Sequence, residues 1–286
     1  MAEVEIVEVG PRDGLQNEAK PISVADKIQL IDMLSPLGFR RIEVASFVSP
    51  KWVPQMAGSA EVLAGLTRRP GVLYTALTPN MRGLNDAIAA KADEVAVFAS
   101  ASEGFSKANI NATIAESLDR FRPVVEAARD AGISVRGYVS CVTDCPYDGP
   151  TAPGQVAQVT EALFEMGVRE VSLGDTLGRA TPGTTRAMLQ AVLGVAPAAA
   201  LAGHFHDTSG RATDNVAVSL EMGLRVFDAA VGGLGGCPYA PGAAGNLATE
   251  RLLAFLDAQS VSHGIENEGL ERAAAFAKTM VRGTIE

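Results

Sequence analysis

Short β-rich runs and longer helical runs alternate along the whole chain, eight times over, with no linker and no low-complexity segment between them. Strands are predicted over Val4–Val9, Arg41–Phe47, Val72–Leu77, Glu94–Ala99, Ser134–Cys141, Glu170–Leu173, Ala200–His206 and Val226–Val231. Helices are predicted between them: Ser23–Leu37, with Ser23 suited to the N-cap and Gly38 to the C-cap, then Ser59–Arg68, Arg82–Lys91 and Ile114–Ala131. Pro153–Met166, Pro182–Val195, Arg211–Met222 and Leu247–Ala258 complete the set, and Glu268–Val281 adds one more. Eight strand–helix units in roughly 260 residues is the count of an α/β chain folded as a (β/α)8 TIM barrel. We therefore expect one domain over residues 1–286, with the barrel over about 3–259 and a short C-terminal helical extension over about 260–286. An open doubly wound sheet would normally carry fewer strands and a glycine-rich phosphate loop after strand one. The segment Gly10-Pro11-Arg12-Asp13-Gly14 does not fit that fingerprint.

Charge and composition narrow the partners. The formal net charge is −9, and no Lys/Arg cluster offers a nucleic-acid surface. No stretch approaches the roughly 20 apolar residues that cross a bilayer. Cys141, Cys145 and Cys237 are too few and too unevenly placed for a disulfide framework. The acidic start MAEVEIVEVG lacks the basic flank and apolar run of a signal peptide, so a cytoplasmic protein is expected.

A barrel of this kind carries its chemistry at the C-terminal ends of the strands. The chemically loaded residues cluster there. Arg12, Asp13 and Gln16 follow strand one, Glu43 lies on strand two, and strand five ends at Cys141. Asp175 follows strand six, strand seven ends in His204 and His206, and Cys237, Asn246 and Glu250 follow strand eight.

Two of the three histidines form His204-Phe205-His206, with Asp207 beside them. Alternate residues of a strand share a face, so both imidazoles can face the barrel mouth. Two core histidines bonded to neighbours are the bland reading; a metal pair fits the position better. Asp13 and Asn246 are oxygen donors on the loops after strands one and eight, which neighbour strand seven in a closed barrel. Asp13 also suits a turn before Gly14, and Asn246 a helix N-cap. Two nitrogens and two oxygens suit six-coordinate Mg²⁺ or Mn²⁺ better than Zn²⁺. Zinc hydrolases with a His-x-His strand usually recruit two more histidines, and only His263 is left, beyond the last barrel helix.

The segment after strand eight, residues 232–246, is rich in glycine and carries Cys237. Such a loop has many accessible backbone states and can close over a substrate. Its thiol could then donate a proton to a carbanion or act as a nucleophile; an incidental cysteine is the alternative. Cys141 and Cys145 have the wrong spacing for a thioredoxin-type motif and read as barrel-rim thiols. Trp52 and Phe47, on the strand-two loop, read as packing residues.

Over about residues 4–258 the chain resembles the 3-hydroxy-3-methylglutaryl-CoA lyases, here of the bacterial type. The resemblance is carried by EVGPRDGLQNE (8–18), IEVASFVSPKWVPQMA (42–57), LTPN (77–80), SCVTDCPYDG (140–149), GDTLGRATPG (174–183), HFHDT (204–208) and GCPYAPGAAGNLATE (236–250). It implies retro-Claisen cleavage of (S)-3-hydroxy-3-methylglutaryl-CoA to acetyl-CoA and acetoacetate, a step of leucine degradation and ketone-body formation. It implies a divalent metal held by Asp13, His204, His206 and Asn246. Catalytic work is implied for Arg12, Asp13, His204, Cys237, Glu43, Asp175 and Glu250, with Arg12 and Gln16 against the substrate. The base that takes the hydroxyl proton is left between Asp13 and His204.

Three other readings stand beside this one: a lyase for a longer 3-hydroxy-3-alkylglutaryl-CoA, a synthase condensing acyl-CoA with 2-oxo acids, and a non-catalytic ligand-binding barrel. An acyl-CoA thioester partner is expected, with no nucleic acid and no membrane, and a homodimer as the assembly. Lys51 and Lys107 lie near strand ends, where coenzyme A phosphates need cations.

Overall fold

The computed structural model describes residues 3–235 and 245–282. Eight parallel strands close into a barrel: β1 (Glu5–Glu8), β2 (Arg41–Ser46), β3 (Leu73–Leu77), β4 (Glu94–Ser100), β5 (Ser134–Ser140), β6 (Glu170–Asp175), β7 (Leu201–Phe205) and β8 (Val226–Ala229). Each strand neighbours the next, and β1 closes on β8 with Glu5 opposite Val226 and Glu8 opposite Ala229.

The outer ring holds α1 (Val24–Leu34), α2 (Ser59–Gly65), α3 (Met81–Ala89), α4 (Glu103–Ile110), α5 (Ile114–Asp130), α6 (Pro153–Met166), α7 (Pro182–Val192), α8 (Ala212–Glu221) and α9 (Thr249–Ala258). A further helix, α10 (Asn267–Arg282), packs against α1. Local chemistry explains the ends. Ser23 Oγ accepts from Asp26 N at 3.1 Å, Thr113 and Glu116 form a reciprocal capping box, and α6 stops at Gly167, whose φ of +103° a side chain would resist. Among the described residues, no helix is long and apolar enough to cross a membrane.

Some predicted boundaries move. Helix α1 ends at Leu34, and Gly38, with φ +101°, serves the link to β2 rather than the cap. Strand β8 stops at Ala229, because the chain returning at Leu247 takes the next amide, Ala230 N, at 3.0 Å. The short helix α4, capped by Ser102, and a hairpin of Asp144–Cys145 with Gly149–Pro150 were not predicted.

On β5, Val135 and Val139 pack in the main apolar core, while Arg136 reaches across the barrel to Asp228 of β8. The interior is therefore charged rather than filled by branched aliphatic layers. Arg41 donates to Glu5 at 2.7 Å and to both oxygens of Glu170 at 2.7 and 3.0 Å. Arg136 donates to Glu170 at 2.7 Å and grips Asp228 at 2.7 and 3.2 Å. Opposite charges so alternate along Glu5, Arg41, Glu170, Arg136 and Asp228, and the last touches His204.

Buried pairs of this kind add little net stability, but removing one partner strands the others without water. Arg41→Leu leaves Glu5 and Glu170 short of a cation, and the expected loss is about 3–5 kcal/mol in a reversible denaturant titration. A loss under about 1 kcal/mol would mean that water replaces the guanidinium.

Candidate active site

The loop after β1 folds into one wide helical turn, Gly10–Gly14. The amides of Arg12, Asp13 and Gly14 all point at Val9 O, at 3.2, 2.8 and 3.2 Å. This turn carries Arg12 and Asp13 over the barrel mouth. The Arg12 guanidinium is nearly buried and doubly held, with Nε donating to Glu43 Oε2 and one terminal nitrogen to Asp13 Oδ1, both at 2.7 Å. It lies 5.6 Å from the centre of the Tyr138 ring. Burial alone would disfavour the charge, but Glu43 and Asp13 outweigh it and hold the guanidinium protonated. Burial pushes the Glu43 carboxyl up against the pull of Arg12, and its Oε1 has no hydrogen-bond partner. Glu43 sits beside a register shift of β2 on β3, where a bulge re-aims side chains.

Strand β7 ends with His204 and Phe205, and His206 follows in an isolated bridge with Asn246. Asp207 N donates to Gly245 O at 2.7 Å and Leu247 N to Phe205 O at 3.0 Å, so the returning chain is laid along the end of β7. Asn246 is thereby brought to Asp13, with Nδ2 to Oδ2 at 2.9 Å. It does not cap the last helix, whose N-cap is Ala248. Two glycines permit the approach. A Cβ on Gly14 would stand 2.6 Å from Leu234 Cβ, and Gly235, at φ +94°, lies against Gly14 and the Asn246 amide.

One ligand atom each from Asp13, His204 and His206 lie within 4.8 Å of one another. The donor set fits a divalent cation. Burial raises the Asp13 carboxyl, but Arg12, His204, His206 and Asn246 pull it down to about 2, so it is an anion at any ordinary pH. Burial and the neighbouring His204 lower His206 to about 4, leaving a neutral imidazole, and His206 Nδ1 is buried without a hydrogen-bond partner. An unsatisfied buried nitrogen beside a carboxylate is what a cation would explain. Asn246 offers its amide nitrogen to Asp13, so its oxygen joins the set only after the amide turns over.

The remaining predicted residues divide. Gln16 is half-buried, with an unpartnered Oε1. Asp175 is buried and closes its own loop, accepting from Arg179 N at 3.2 Å and Ala180 N at 3.0 Å; burial lifts its carboxyl to about 6. Glu250 accepts from Gly232 N at 2.9 Å and so holds the base of the glycine-rich segment. Cys237 lies outside the described residues. Asp207 turns away from the histidines to Arg251 and Ala212 N.

Cys141 directly follows β5 at the rim and Cys145 lies in the hairpin beyond it; both are buried beside Phe105, and burial pushes the Cys141 thiol up. Phe47 packs half-buried against the core, as expected. One expectation is corrected: Trp52 is 84% exposed and packs against little.

The sequence reading missed three residues. Tyr138 faces Arg12 and meets the His204 ring edge-on at 6.3 Å. Asp228 lies 3.1 Å from His204 Nδ1. Buried Glu8 accepts from Gly10 N, Val231 N and Thr249 Oγ1 at 2.8, 2.9 and 2.6 Å, tying the Arg12 turn to the loop after β8; burial lifts its carboxyl to about 7. The one available signal was parity: Asp228 is a charge inside an apolar strand.

Residues 3–276 match the HMGL-like family. A 3-hydroxy-3-isohexenylglutaryl-CoA/hydroxy-methylglutaryl-CoA lyase from Pseudomonas aeruginosa is 58% identical, over 93% of this chain and 89% of its own. The crystal structure of the HMG-CoA lyase from Brucella melitensis superposes with a TM-score of 0.98 at 59% identity, covering 99% of this chain and all of that one. An HMG-CoA lyase from Acinetobacter baumannii, solved with coenzyme A and 3-methylmalate, gives a TM-score of 0.92 at 36% identity over 98% of this chain and 91% of its own.

Proposed function

The chain belongs to the HMGL-like family and is a lyase, and from that premise we propose that it cleaves 3-hydroxy-3-methylglutaryl-CoA to acetyl-CoA and acetoacetate. The observation that carries this reading is the convergence of Asp13, His204 and His206 within 4.8 Å, directly beside a buried Arg12. Those three residues and Asn246 would hold Mg²⁺ or Mn²⁺. When bound, the cation supplies a Lewis acid that orients the substrate and acidifies its C3 hydroxyl.

The chain's own groups do the rest. The hydroxyl proton goes to Asp13 or His204. As the C2–C3 bond breaks, its electron pair passes into the thioester as an enolate, and C3 becomes the ketone of acetoacetate. Arg12, held by Glu43 and Asp13, places fixed donors where that negative charge grows, with no reorganisation at the moment of reaction. The thiol of Cys237 then protonates C2 to give acetyl-CoA.

The test is direct. Purified protein with Mg²⁺ or Mn²⁺ and 3-hydroxy-3-methylglutaryl-CoA is expected to release acetoacetate. Chelation should stop the reaction, and added cation should restore it. No acetoacetate in the presence of either metal would overturn the reading. The name of the Pseudomonas relative favours one second reading, a longer 3-alkyl substituent, and a parallel assay with the isohexenyl thioester decides between one substrate and two. Product formed only with an added 2-oxo acid would instead indicate a synthase.

A further inference from the structure

We infer that Asp228 is a positioning residue that fixes the His204 imidazole as its Nδ1–H tautomer, with the Nε2 lone pair turned toward Asp13. The inference starts from the surroundings of one carboxylate. Asp228 is fully buried, and Arg136 and Ser172 both donate to it. Arg136 gives Oδ1 one hydrogen bond at 2.7 Å and Oδ2 another at 3.2 Å, and Ser172 Oγ donates to Oδ2 at 2.7 Å. His204 Nδ1 lies 3.1 Å from the same Oδ2. A guanidinium forked across both oxygens, with a serine hydroxyl donating to one of them, is the setting of an ionised carboxylate. An ionised carboxylate only accepts, so the proton shared with His204 belongs to Nδ1.

A neutral imidazole carries one N–H, and its other nitrogen keeps the lone pair. That nitrogen, Nε2, is the one on the Asp13 side, 3.9 Å from Asp13 Oδ2. The Tyr138 and His204 rings stand nearly perpendicular, their centres 6.3 Å apart. Arg136 is fixed in turn by Glu170 at 2.7 Å. The charged interior of the barrel thus ends in a device that presents one nitrogen lone pair at the mouth. A carboxylate behind a ligating histidine raises the basicity of the ligand and sets its angle, and losing it commonly weakens metal binding about 10–100-fold.

The inference rests on the cation reading, and its test separates the two. Mn²⁺ binding is measured by electron paramagnetic resonance on chelator-stripped protein. Asp228→Asn is expected to weaken binding at least about tenfold. Asp257→Asn, which takes a carboxylate from His263 and not from His204, should stay within about threefold of the unaltered protein. A folded Asp228→Asn protein that binds Mn²⁺ as tightly as the unaltered one would overturn the inference. Should that variant fail to fold, the unaltered protein answers by itself. With only three histidines, ¹⁵N-histidine labelling resolves each ring. At about pH 8.5 the metal-free protein should show His204 with Nδ1 protonated and Nε2 bare. A protonated Nε2 sinks the inference. Unaltered protein with the expected tautomer but no Mn²⁺ binding would sink the cation reading and leave the tautomer assignment standing.

Discussion

Arg12→Gln is expected to lower kcat by about 10²–10³, the usual loss when one preorganised donor to a developing oxyanion is removed. Cation binding should survive. The guanidinium donates to Asp13 at 2.7 Å and repels any cation there, so Mn²⁺ should bind the variant at least as tightly as the unaltered protein. Loss of turnover with retained metal separates a charge-stabilising role from a ligand-positioning one. Arg12→Lys should fare little better. A lysine is a point charge without the rigid fork that reaches Glu43 and Asp13 at once. Steady-state kinetics and a Mn²⁺ titration on the same preparations check both statements. Turnover within about threefold of the unaltered protein would remove Arg12 from the mechanism.

Cys237→Ser should cost about 10³ or more in turnover, since a hydroxyl is a far weaker acid than a thiol, and Cys237→Ala no less. Neither should change Mn²⁺ affinity by more than about threefold, because Cys237 is not among the proposed ligands. The residue itself lies outside the described chain, but both flanks of its segment lie at the site. Gly235 lies against Gly14 and the Asn246 amide, while Gly245 O takes Asp207 N at 2.7 Å. Cys237 is two residues along from Gly235 in the sequence. Near-normal turnover of the serine variant would sink the thiol role, and loss of metal binding would recast the residue as structural.

Much of this architecture was legible in the residues. The alternation of runs predicts eight strands in order, and the barrel closes in that order. Placing loaded residues just after strands brings Arg12, Asp13, His204, His206 and Asn246 together, and they meet in the fold. Asp175 ends β6 and Glu250 lies in the first turn of α9, and each accepts backbone amides. Position on a rim says which residues can reach the mouth, not which way their oxygens point. The burial of Cys141 and Cys145 was not legible, because the hairpin that carries Cys145 is two residues long on each side and leaves no periodic trace.

The boundary between what the chain itself determined and what tertiary structure decided follows sequence separation. Periodicity of two and of about 3.6 residues, the caps at Ser23, Thr113 and Gly167, and the shared face of His204 and His206 are set within a few residues of each other, so they can be read from the line of letters. The Arg136–Asp228 grip joins residues 92 apart, and the Thr249–Glu8 bond residues 241 apart. Such pairs exist only because the barrel closes, and closure puts Arg136 of β5 opposite Asp228 of β8 in the buried interior. An arginine in a strand reads equally well as a solvated edge until that closure is known. The same holds for Asp228, a lone acid in an apolar strand, which becomes the group that orients His204 only when β7 and β8 lie side by side.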